Sequence, residues 1–184
     1  MATKRKGASG NPLAIELLEA DHRKVEGLFD QYEGEKEGDE QAKRALAEKI
    51  CGELTVHAQV EEELFYPWLK ENLDEEDMEM LEEAYVEHAS AKDLIAQLEA
   101  ASEIDEAYDA KVKVLGEYIK HHVKEEEEEI FPEVRDMKEE LDELGQEMAA
   151  RKAELMDELG LTDDDAPPKA GRGKQTSREQ RGTH

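Results

Sequence analysis

Four histidines sit in stripes where a helical chain would ordinarily place leucine or valine. Between residues 13 and 160 only Pro67 and Pro132 interrupt the sequence. Over that stretch apolar residues recur at steps of three and four, the period of one helix face. The stripes read Ile15, Leu18, His22, Val25, Phe29, Tyr32; then Ile50, Leu54, His57, Glu61, Leu64, Trp68. They continue as Leu81, Tyr85, His88, Ala91, Ile95, Leu98, and as Leu115, Ile119, His122, Glu126, Ile130, Val134. Turn-like clusters at residues 34–39, 72–77 and 102–105 separate them, which predicts helices over about 12–33, 40–71, 76–101 and 105–140. Short connections favour antiparallel neighbours. The expected fold is therefore all-α, an up-down-up-down four-helix bundle over residues 11–136.

The second half of that bundle echoes the first. Asp21-His22 matches Glu87-His88 at an offset of 88 − 22 = 66, and His57 with Glu61 matches His122 with Glu126 at 122 − 57 = 65. Pro67 follows His57 by ten residues, as Pro132 follows His122. The pattern reads as two helical hairpins of one design, with a pseudo-symmetry that brings two equivalent half-sites together. It also separates two adjacent histidines. His122 is in phase with Leu115, Ile119 and Ile130, whereas His121 is in phase with Tyr118, Glu125 and Glu128. His122 and Glu126 are placed inside, and His121 at the rim.

Composition limits what such a bundle can meet. The chain of 184 residues carries 50 acids against 24 Lys and Arg, a net charge of −26. A charge of that size argues against contact with nucleic acid or an anionic membrane surface. Residues 1–10 read as a disordered basic arm and 163–184 as a disordered basic tail, whose expected role is solubility. Met1 to Asn11 lacks the apolar stretch of a secretory signal, and no run approaches the roughly 18 apolar residues of a membrane span. The single cysteine, Cys51, allows no internal disulfide and reads as a packed thiol. A cytoplasmic setting is expected.

The inner carboxylates call for a cation. Residues four apart share a helix face, so His57 and Glu61 point the same way, as do His122 and Glu126. Two carboxylates in a core are costly unless paired or metal-bound, and no Lys or Arg occupies the inner stripes. Four imidazoles and two carboxylates are a nitrogen and oxygen ligand set for a transition metal. Counted from the turns near Asp74 and Asp105, His57, His88 and His122 fall at similar heights; His22 matches less well. Other metal designs fit worse. A ferritin-like di-iron bundle needs two Glu-x-x-His motifs, and only Glu19 to His22 supplies one. The run Glu125 to Glu129 is splayed around a helix, and apart from Glu126 reads as a solvated face.

The order His22, His57/Glu61, His88, His122/Glu126 resembles the hemerythrin-like family, in its H, HxxxE, H, HxxxE form. The resemblance covers about residues 11–136. It implies a non-haem di-iron centre in which both glutamates bridge the metals beside an oxo or hydroxo bridge, and the histidines cap them. Oxygen carriers of that family have a further His one turn after the third-helix His; here the position is Lys92. About two of roughly 12 metal positions would then stay open, against one in a carrier. His121 or Tyr32 could fill one of them. The resemblance thus implies binding of oxygen, nitric oxide or peroxide for sensing, storage or stress defence. Di-iron catalase-like or nitric-oxide turnover is the enzymatic alternative, and a metal-free interaction bundle the structural one. Residues 137–162 continue as a helical extension whose stripe, Met137, Leu141, Leu144, Met148, Leu155 and Leu159, is interrupted by Arg151. It either folds back on the bundle or pairs with a second copy as a homodimer.

Overall fold

The computed structural model describes residues 11–35, 39–74 and 78–161. Both basic ends expected from the sequence lie outside the described residues. The regular elements are helical: α1 Leu13–Gly34, α2 Glu40–Val60, α3 Tyr66–Asn72, α4 Met78–Glu99, α5 Glu106–Glu125, α6 Phe131–Val134 and α7 Lys138–Glu158. Two five-residue π turns, Glu61–Phe65 and Glu126–Ile130, carry α2 into α3 and α5 into α6 without a break. No helix among the described residues is long and apolar enough to cross a membrane.

Local chemistry explains the helix ends. Asp39 accepts from the Gln41 amide at 2.9 Å and Asp105 from the Tyr108 amide at 2.8 Å, side-chain caps that satisfy amides with no partner inside the helix. The amide of Leu13 at the start of α1 is capped from far away, by Asp142 Oδ1 of α7 at 2.8 Å. At the end of α7, Gly160 takes φ 65° and Leu161 bonds back to the Met156 carbonyl, the left-handed stop that glycine permits. Leu161 then lies against Gly52, whose missing side chain makes room for it.

The expected fourth helix, 105–140, is interrupted. Met137 leaves helical geometry at φ −83°, ψ 51°, and the chain turns before α7. The turn is what lets the extension bury its stripe. Leu141, Leu144, Met148, Leu155 and Met156 are buried, and α7 packs along α1, α2 and the first π turn. Gly145 allows the closest approach, since a Cβ there would lie 2.4 Å from the Ala14 nitrogen. Of the two sequence readings of the extension, this chain adopts the folded-back one. A dimer through α7 would have to use its other face. Arg151, which interrupts the stripe, reaches Glu63 at 2.7 Å instead of joining the apolar seam.

The core is split in two. One apolar cluster gathers Ile15, Leu18, Val60, Phe65, Tyr66, Leu81, Phe131 and the α7 stripe. The other gathers Val25, Leu28, Tyr32, Ile50, Leu54, Ile95, Val112 and Leu115. Along each helix the histidine falls between the two, so the polar residues form a layer walled by hydrocarbon on both sides.

Candidate metal centre

Six buried side chains converge in that layer. His22 comes from α1, His57 from α2, His88 from α4 and His122 from α5, while Glu61 and Glu126 are the first residues of the two π turns. Both glutamates are 0% exposed. Glu61 Oε2 lies 3.2 Å from His57 Nε2 and 3.3 Å from His88 Nε2. Glu126 Oε2 lies 3.3 Å from His22 Nε2 and 3.7 Å from His122 Nε2. His88 Nε2 and His122 Nε2 are 3.1 Å apart. Each carboxylate thus stands between two imidazoles from different helices.

The π turns belong to this arrangement. Pro67 and Pro132 each fall six residues after a site glutamate. A proline has no amide to donate and its ring presses on the carbonyl four residues back, so a plain α-helix is disfavoured just there. In each turn the hydrogen bond skips one residue further: the Tyr66 amide bonds to the Glu61 carbonyl and the Phe131 amide to that of Glu126. The wider turn brings both Phe65 and Tyr66 inward, and both Ile130 and Phe131. The Tyr66 hydroxyl donates to Glu126 Oε1 at 3.0 Å and lies 3.2 Å from His88 Nε2. The Phe131 ring stacks parallel to that of His22 at 6.1 Å.

Behind every histidine stands another carboxylate. His22 Nδ1 is 2.9 Å from Glu127, His88 Nδ1 is 3.0 Å from Glu62 and His122 Nδ1 is 2.8 Å from Glu87. His57 Nδ1 faces Asp21 at 3.6 Å, close but longer than a hydrogen bond. Each of these acids is the chain neighbour of an inner residue: Asp21 of His22, Glu62 of Glu61, Glu87 of His88 and Glu127 of Glu126. Cations hold three of them in turn, Arg23 on Glu127, Lys92 on Glu62 and Lys152 on Asp21. An outer carboxylate favours the proton on Nδ1 and so leaves the Nε2 lone pair directed into the layer.

The layer is short of positive charge. His22 Nε2, both oxygens of Glu61 and Glu126 Oε2 are buried without a hydrogen-bond partner. Burial works against protonation of His22 and His122, yet Glu126 and the other carboxylates prevail. Both imidazoles are drawn up, His122 to about 9. Burial likewise opposes ionisation of Glu126, but His122 and His22 hold its carboxyl well below the usual range. Two donor sets satisfy the distances of a common ion, His22, His57, Glu61 and Glu126, and Glu61, His88 and His122, each with its ligand atoms within 4.8 Å of one another. Glu61 belongs to both, and this nitrogen and oxygen donor chemistry fits a transition-metal cation.

Beside the imidazoles, on the face away from Tyr66, is a cavity of about 20 Å³ walled by Val25, Leu54, Ala91, Ile95 and Ile119. A water molecule needs roughly 10–15 Å³, so it admits about one small molecule. Lys92 stands at its edge and pairs with Glu62 at 2.6 Å.

The structure brings together all six residues that the sequence placed inside, and sets two others apart. Tyr32 is in the second apolar cluster, its hydroxyl donating to Asp109 at 2.7 Å, so it is not available to the layer. His121 is 59% exposed and faces Glu125 and Glu87 from outside. Sequence reasoning missed Tyr66 and the four outer acids. Their signal was present as acids repeated beside each inner residue, and as the tyrosine before Pro67. Cys51 is a packed thiol, pushed up to about 12 chiefly by burial.

Residues 13–134 match the hemerythrin HHE cation binding domain. A curated protein named DNA nickase, from Nostoc sp. (strain PCC 7120 / SAG 25.82 / UTEX 2576), is 29% identical over 147 residues, 79% of this chain and 40% of that protein. The chain therefore spans about two-fifths of that relative's length. No solved structure matches the chain.

Proposed function

The chain belongs to the hemerythrin HHE cation binding domain family, and from that premise we propose that its buried layer holds two non-haem iron ions and binds oxygen or a related small oxidant, peroxide or nitric oxide. His22, His57, Glu61 and Glu126 would hold one ion and His88, His122 and Glu61 the other. The observation that carries this reading is the set of buried metal-donor atoms in the layer with no hydrogen-bond partner, His22 Nε2, both Glu61 oxygens and Glu126 Oε2. Left without cations, such atoms cost about 1–3 kcal/mol each or more. The bundle itself reads as two like hairpins, up-down-up-down. The paired π turns and the paired acids Asp21/Glu87 and Glu62/Glu127 support that.

An iron pair, when bound, supplies a redox couple and open positions for a small ligand. The chain's own part is positioning and exclusion. Outer carboxylates hold three of the four imidazoles by their Nδ1 atoms, with Asp21 facing the fourth, and Tyr66 holds Glu126. The cavity beside them has room for about one diatomic or peroxide-sized molecule, and most of its wall is apolar. Lys92, where an oxygen carrier would place a further histidine, is turned to Glu62 instead. That supports a centre with open positions. A cytoplasmic setting belongs to the same reading, supported by one buried thiol. The relative's printed name concerns a protein of which this chain covers 40%, and the charge of −26 favours no action on DNA.

Iron-loaded protein should change its visible spectrum on mixing with nitric oxide or oxygen, without steady-state oxygen release from hydrogen peroxide. Sustained release would assign the turnover reading instead. No spectral response to any of the three would contradict the proposal.

A further inference from the structure

Four outer carboxylates back the inner histidines, and the charges behind them differ. Glu127 has Arg23, Glu62 has Lys92 and Asp21 has Lys152. Glu87, which accepts from His122 Nδ1 through Oε2 at 2.8 Å, has no Lys or Arg partner among the described residues. Its other oxygen, Oε1, faces the ring of His121 at 3.7 Å. His121 Nε2 in turn lies 3.0 Å from Glu125 Oε1. Glu83 and Glu129 add further negative charge around Glu125. Where the other three quadrants place a side-chain cation, this one places an imidazole and a second carboxylate.

The three side chains offer one nitrogen and two oxygens within 4.8 Å of one another. They come from two helices, Glu87 from α4 and His121 and Glu125 one turn apart on α5, so the spacing is fixed by helix packing. Glu87 and Glu125 are partly buried at 19% and 29%, and His121 is 59% exposed. The group is thus partly enclosed on its inner side and open to solvent on its outer side. We infer that Glu87, His121 and Glu125 form a rim site for a divalent transition cation, separate from the buried layer. One imidazole with two carboxylates suits Mn²⁺, Fe²⁺ or Zn²⁺, whereas Mg²⁺ and Ca²⁺ favour oxygen alone. Waters would complete the coordination. Glu87 connects the rim to the layer, because the carboxylate that would bind the outer ion also orients His122.

His121 and Glu125 take no part in the buried layer, so variants at these two positions keep the two sites apart. Protein as purified is dialysed against Mn²⁺ at about 0.15 M salt, which screens loose binding to the acidic surface, and bound Mn²⁺ is counted per chain. His121→Ala and Glu125→Gln should each bind about one Mn²⁺ fewer than wild type. Glu128→Gln, an exposed acid on the same helix run, should bind as wild type does. The iron content of all three should be unchanged. Excess Mg²⁺ should leave the rim Mn²⁺ in place. Equal Mn²⁺ counts in wild type and His121→Ala would overturn the inference, as would displacement by Mg²⁺.

Discussion

The hydroxyl of Tyr66, the first residue of α3, donates to Glu126 Oε1 in the second π turn at 3.0 Å, across 60 residues of chain. This contact ties the two glutamates of the layer together, since Tyr66 is also hydrogen-bonded through its amide to the Glu61 carbonyl. Tyr66→Phe keeps the buried ring and removes the donor. Metal affinity, read by competition with a chelator, should fall by about 10–100-fold with the helical content unchanged. Unchanged retention would show that the phenol is packing alone.

The inner and outer faces of the π turn make opposite predictions. Glu61→Gln or Glu126→Gln should lower bound metal sharply, because each carboxylate serves two imidazoles. Glu128→Gln, at 66% exposure, should not. Metal analysis of the three purified variants decides it, and equal content in all would mean that the inner face is misassigned.

Without cations the layer should be sensitive to pH. His122 is raised from 6.5 to about 9, so its stabilising contribution is fully present below pH 6.5 and is lost as pH rises through about 9. The loss is on the order of 3 kcal/mol. Urea midpoints of metal-free wild type, compared with His122→Gln between those pH values, should converge as pH rises. A constant difference would contradict the assignment.

Gly145 lets α7 lie on the backbone of α1. A Cβ there would meet the Ala14 nitrogen at 2.4 Å and the Leu13 carbonyl carbon at 2.7 Å, neither of which can swing aside. Gly145→Ala should destabilise by about 1–3 kcal/mol in urea unfolding, despite the higher helix propensity of alanine. It should also weaken the contact of Lys152 with Asp21, and with it the support of His57. An unchanged midpoint would mean that α7 is not held there.

The periodicity of the chain carried the inner six residues because burial and phase coincide in them. The choice between adjacent histidines shows how far that goes: His122 is 3% exposed and His121 59%. Phase fails where geometry departs from 3.6 residues per turn. The π turns shift Tyr66 and Phe131 inward, which a count in threes and fours cannot anticipate. Glu62, Glu87 and Glu127 are off the inner stripes and look solvent-facing. They act on the layer only because neighbouring helices bring His88, His122 and His22 to them. Tyr32 was in phase with His22 but lies in the apolar cluster beyond the layer, since phase fixes direction and not depth. The path of α7 depended on a turn at Met137 and on the gap left by Gly145, neither of which a stripe of leucines specifies.

Metal analysis of protein purified without chelator, with an electronic spectrum of the same sample, reads directly whether the buried layer holds two irons. About two irons per chain are expected, with an absorption from charge transfer between iron and a bridging oxygen. A fully folded protein with no metal, or one holding only zinc, would contradict that expectation.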